Sequence, residues 1–107
     1  MKYLIAFTCI LFALPASADR FYEIRQLWNT CAACHGARGE GAIGPSLYYK
    51  SADEIITKLT LYKNGEIVGP QSQMMWPQAM QLTDGQIGTI GVFVQEGFPQ
   101  EKIGKIF

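Results

Sequence analysis

The chain has 107 residues, 49% of them apolar, and nine basic residues balance nine acidic ones. That length suits one small domain. The neutral balance carries no nucleic-acid footprint, and no apolar stretch is long enough to span a membrane comfortably.

The first 18 residues read as a secretory signal peptide. Met1-Lys2 gives a positive start, Tyr3 to Leu14 is apolar apart from Thr8, and Pro15-Ala16-Ser17-Ala18 supplies small residues before a cleavage site after Ala18. An uncleaved membrane anchor is the alternative; the short run and Pro15 count against it. Cys9 lies in this run and leaves with it. Removing 18 of the 107 residues leaves 89, with eight basic and nine acidic residues. The expected address is the periplasm. Eighty-nine residues make a marginal core on their own, so an apolar cofactor to fold around would help.

A helix is predicted from Phe21 to about Thr30, because Phe21, Ile24, Trp28 and Cys31 recur at helical spacing. Trp28 reads as core filling or as packing on a cofactor edge. The helix runs into Cys31-Ala32-Ala33-Cys34-His35. Two cysteines three positions apart, followed at once by histidine, form the attachment signature for a c-type haem. Each thiol can add to one vinyl group of the porphyrin, and the histidine is then held under the iron. A zinc site or a thioredoxin-like pair also uses Cys-x-x-Cys. Zinc would need two further Cys or His ligands, and His35 is the only histidine. A thioredoxin-like site would need a βαβ setting, which the pattern lacks.

Gly36, Gly39, Gly41 and Gly44, followed by Pro45, mark a tight loop. A phosphate-cradling loop would need a preceding strand and a following Lys-Ser/Thr, and has neither. Tyr48 and Tyr49 could edge the cofactor or lie on the surface. Ser51-Ala-Asp-Glu54 reads as a capping box opening a second helix, with Ile55, Ile56, Leu59 and Tyr62 on its apolar face and Asn64-Gly65 closing it. Glu66 to Trp76 reads as irregular and extended, since Trp76 precedes Pro77. Thr83-Asp-Gly-Gln86 forms another capping box, and a last helix runs to about Glu96, burying Ile87, Ile90, Phe93 and Val94. Phe98 to Phe107 has no strong pattern, although Ile103, Ile106 and Phe107 could dock. With no strand signal, the class is all-α.

A low-spin electron-transfer haem needs a sixth ligand, and a methionine thioether is the natural candidate here. After the signal segment the choices are Met74, Met75 and Met80. Neighbours in an extended segment point opposite ways, so only one of Met74 and Met75 can face the iron.

Taken together, these residues resemble the class I cytochromes c of the small bacterial monohaem kind, from about Phe21 to Gly97. The resemblance rests on Cys31-Ala-Ala-Cys34-His35-Gly36, Gly44-Pro45-Ser-Leu47, the helix after Ser51, Met75-Trp-Pro77, Leu82-Thr83-Asp84 and Phe93. It implies a cytochrome c-like domain of three to four helices wrapped around one covalently bound haem c. It implies Met75 as axial ligand, because the family's methionine typically lies nine residues before the Asp that opens the final helix. It also implies that the Pro45 carbonyl accepts a hydrogen bond from the His35 ring and that Leu47 packs on the haem face. The family usually places a small residue where this chain has Ile24; the expectation is that Gly88 or Gly91 supplies the small partner from across the helix crossing.

The function that follows is a periplasmic electron carrier using His35 and Met75, working with redox proteins such as a dehydrogenase, reductase or oxidase, as a monomer. Two alternatives stand beside it: a cytochrome subunit of a larger periplasmic oxidoreductase, and a haem enzyme or gas sensor with an open sixth site.

Overall fold

The computed structural model describes residues 19–100; the signal segment and the residues Ile103, Ile106 and Phe107 lie outside that range. Four helices follow in order: α1 Tyr22–His35, α2 Ala52–Lys63, α3 Ser72–Met80 and α4 Asp84–Gln95. The described residues contain no strand. None of their helices is long and apolar enough to cross a membrane.

Helix α1 begins where Asp19 accepts a hydrogen bond from the Phe21 N–H at 3.0 Å. It continues past Thr30 through all of Cys31–His35, longer than the periodicity predicted. Nothing in Cys-Ala-Ala-Cys-His breaks a helix, and alanine is the best helix former. Gly36 stops it at φ 91°, with its N–H bonded to the Ala32 carbonyl.

Helices α2 and α4 form the main packing pair. They run antiparallel: the Ala52 N–H meets the Gln95 side chain at 2.8 Å, and Lys63 meets Asp84 at 3.2 Å. Ser51 caps α2 by accepting from the Glu54 N–H. The Thr83 capping box on α4 has both of its reciprocal bonds, Gln86 N–H to Thr83 Oγ1 and Thr83 N–H to Gln86 Oε1. The predicted α4 face is buried: Ile87, Ile90, Phe93 and Val94, with Gly91 among them.

The core gathers Phe21 at the N-cap of α1, Ile24 and Trp28 within α1, Ile55 from α2, Ile90, Phe93 and Val94 from α4, and Phe98 beyond it. Phe93 is its hub, with ring centroids 5.4 Å from Phe21, 5.8 Å from Trp28 and 5.6 Å from Phe98. Trp28 is therefore core filling.

Three expectations need correction. Residues Ser72–Met80 are helical, so the extended segment expected around Met74, Met75 and Trp76 is absent. Pro77 suggested extension by local rule, but Gln, Met and Ala favour a helix here and outside contacts hold it. Phe98 is no featureless start of a tail: it is buried, its N–H bonds the Phe93 carbonyl, and its ring lies where a Gly39 side chain would stand. Finally, no glycine compensates for Ile24. A Cβ on Gly91 would stand 2.7 Å from Ile56 Cγ1 and 2.9 Å from the Ala52 carbonyl, both on α2, while a Cβ on Gly88 would meet nothing within 4 Å. Ile24 simply fills core.

The two α4 glycines should therefore respond oppositely to alanine. Gly91→Ala overpacks the α2–α4 contact and should cost about 1–3 kcal/mol. Gly88→Ala meets open space and should stabilise by about 0.5–1 kcal/mol through helix propensity. Denaturant unfolding of both variants checks the pair; equal effects would contradict the packing described.

Candidate functional site

The last turn of α1 carries the site. Cys31 and Cys34, three residues apart, share one side of a helix. Both thiols are half-buried and free, not joined as a disulfide. The Cys31 thiol points back at the Leu27 carbonyl, 3.9 Å away. Burial pushes this thiol's pKa up, and a backbone hydrogen bond offsets part of that.

His35 ends the helix and is buried. Its Nδ1 lies 2.9 Å from the Pro45 carbonyl oxygen. A carbonyl can only accept, so this contact places the proton on Nδ1 and leaves the Nε2 lone pair for a metal. A partner on the far ring nitrogen also fixes the ring's orientation.

The loop from Gly36 to Leu47 folds back on the end of α1. The Gly41 N–H takes the His35 carbonyl and the Gly44 N–H takes the Cys34 carbonyl, each at 2.7 Å. These bonds satisfy carbonyls that a helix end would otherwise leave unpaired. Gly44 must stay small, since a Cβ there would stand 3.0 Å from His35 Cε1. Trp28 ties the loop to the core, its indole N–H bonding the Ala37 carbonyl at 2.9 Å. Leu47 is half-buried against the core, and its N–H bonds the Gly39 carbonyl at 2.7 Å.

The structure thus brings Cys31, Cys34, His35 and Pro45 into one corner. Met75 sits on a different element, α3, which packs on α2. Met75 is half-buried, on the helix face that also holds the buried Ser72 and Ala79. Met74 and Met80 are exposed, at 58% and 53%. Tyr48 and Tyr49 are exposed as well. Among the described residues, no three of His, Cys, Asp and Glu cluster tightly enough to hold a metal ion by themselves. The described residues therefore offer zinc no clustered set of three ligands. The donor set suits a haem: two free thiols at i and i+3, an imidazole with its proton directed away from Nε2, and a thioether on a separate helix.

Two residues in and around the site escaped the sequence reading. Ser72, treated below, is one. Glu40 is the other: its carboxylate accepts from the Arg38 N–H at 2.8 Å and occupies the space beside Gly36 where a side chain would go. Glutamate two residues after a backbone N–H has no distinctive spacing to announce it.

A family model described as Cytochrome c matches residues 22–97 of this chain. A curated protein, cytochrome c-554(548) from Halomonas halodenitrificans, is 35% identical over 67 residues, which cover 61% of this chain and 81% of that protein.

Backbone N–H groups, those of Glu40 itself and of Arg38 above all, hold the Glu40 carboxyl below its ordinary value of 4.5. A depressed folded-state pKa contributes stability that is complete above the unfolded value and is lost as pH falls through the folded one. Glu40→Gln removes that contribution. The stability gap between wild type and variant should be full near pH 7 and should shrink below pH 4.5. Thermal unfolding across pH checks this; a gap that widens in acid would contradict it.

Proposed function

The chain belongs to the cytochrome c family, whose domain carries a covalently bound haem c, and on that premise we propose that it is a periplasmic carrier of single electrons, with His35 and Met75 as axial ligands. The observation that carries the ligand assignment is the 2.9 Å contact between His35 Nδ1 and the Pro45 carbonyl, one residue after Cys34 on the same helix. It leaves Nε2 as the donor, and the loop gives the imidazole little freedom to turn.

When bound, the haem supplies a one-electron couple between ferrous and ferric iron. The chain's residues prepare the site for that couple. Cys31 and Cys34 provide the two thiols that become thioethers. Their place behind an export signal puts them in the compartment where such attachment occurs. Met75 offers a soft sulfur that favours the ferrous state and so raises the potential. Its half-buried position on the inner face of α3 supports it over the exposed Met74. Leu47 contributes apolar wall beside the site. Ligands that stay in place through the redox cycle keep reorganisation small, so transfer at an exposed haem edge can be fast. The working partners are redox proteins able to meet an exposed haem edge.

The absorption spectrum of purified protein, oxidised and reduced, tests the proposal. Ferric iron bound by methionine gives a weak far-red band. Met75→Ala should abolish it and Met74→Ala should keep it; the reverse outcome would move the ligand to Met74. Rapid carbon monoxide binding to reduced wild type at neutral pH would instead favour an open sixth site and a sensing or enzymatic role.

A further inference from the structure

Helix α3 is poorly supported by its own sequence. It has nine residues, carries Pro77 inside, has no acidic residue in its first turn or basic residue in its last, and starts at Gln71 without a side-chain cap. Helices this short are marginal in isolation. Pro77 has no N–H, so the Gln73 carbonyl loses its helical partner. Yet this element carries Met75.

Two of its own side chains tie it to the loop before it. The Ser72 hydroxyl is buried and saturated: it accepts from the Val68 and Gly69 N–H groups, each at 2.8 Å, and donates to the Gly69 carbonyl at 2.8 Å. One donor and two acceptor sites are all a serine hydroxyl has. The bonds run backwards, to residues before the helix, so this is no ordinary N-cap. The Trp76 indole N–H bonds the Glu66 carbonyl at 2.9 Å. Glu66 is itself tied to α2, its N–H bonding the Leu61 carbonyl at 3.0 Å. The loop from Glu66 to Gly69 is thereby strapped to α3 at both ends. Ser72, Met75, Trp76 and Ala79 fall at i, i+3, i+4 and i+7, one helical stripe, so the straps act on the face that bears Met75.

We propose that Ser72 and Trp76 are positioning residues for Met75: together they lock the 66–69 loop onto α3 and set where the Met75 sulfur is held. This rests on the reading of Met75 as an axial ligand. Neither residue needs to touch the iron. Their role is to suppress opening of the segment, which would release the sulfur and expose the sixth position.

The test uses the haem-loaded protein and two readouts that general stability does not move, the ferric far-red band and the rate of carbon monoxide uptake by the ferrous form. Ser72→Ala orphans two backbone N–H groups. It should raise the uptake rate about tenfold and weaken the band, the scale expected for loss of a buried hydrogen-bond partner. Trp76→Phe keeps an aromatic ring, loses the N–H, and should act in the same direction; it carries the test if Ser72→Ala does not load haem. Ser51→Ala removes a comparable hydroxyl cap at the far end of α2. It should lower the melting temperature while leaving band and uptake unchanged. Wild-type uptake and an intact band in both Ser72→Ala and Trp76→Phe would overturn the strap while leaving the ligand reading intact. An intact band in Met75→Ala would overturn both.

Discussion

The hydrogen bond between His35 Nδ1 and the Pro45 carbonyl is the contact on which the site depends. It decides which ring nitrogen is free, and so decides what the imidazole can do. For that bond to exist, the chain must reverse between His35 and Pro45, ten positions apart. The glycines of that stretch make the reversal possible. Gly36, Gly39 and Gly41 adopt positive φ, where a side chain would be strained. Gly44 allows the backbone to pass beside the ring. A loop that looks like mere punctuation is a mould shaped around one imidazole.

That mould is fastened to the aromatic core. Trp28 packs on Phe93 and Phe98 and at the same time bonds the Ala37 carbonyl. Phe98, reached only after α4 has ended, lays its ring against Gly39. Arg25 on α1 pairs with Asp19 and also donates to the Pro99 carbonyl at 3.1 Å, joining both ends of the described chain. Core burial and site geometry are therefore one network. In a domain this small, few apolar residues are available for a core that serves no other purpose.

The other half of the proposed site rests on a different principle. Helix α1 is long and stops at a glycine in left-handed geometry. Helix α3 is short, contains proline, and is held by side-chain bonds to the loop before it. A segment held mainly by a few external hydrogen bonds opens more readily than one buried along its length. On the proposed reading, the histidine side is held along a long helix, whereas the methionine side relies on the Ser72 and Trp76 bonds.

How much of this was legible follows from the range over which each force acts. The sequence by itself determined the attachment motif, the all-α class, the helical residues around Cys31, the Ser51 and Thr83 caps and the buried stripe of α4. All of these are rules of spacing within one or two turns, and they hold wherever the segment is placed. Only the tertiary structure decided that α3 is a helix, that Phe98 belongs to the core, that Gly91 answers to α2 rather than α1, and that Met75 lies on the inner face while Met74 lies outside. Local preference misjudged α3 because Pro77 speaks only for its own backbone, whereas the Trp76–Glu66 bond reaches back ten residues. Phe98 was missed because its partners, Trp28 and Gly39, lie 70 and 59 positions earlier. The cysteine and histidine half of the site is written in five consecutive letters; where Met75, the proposed counterpart, sits depends on packing that no local pattern records.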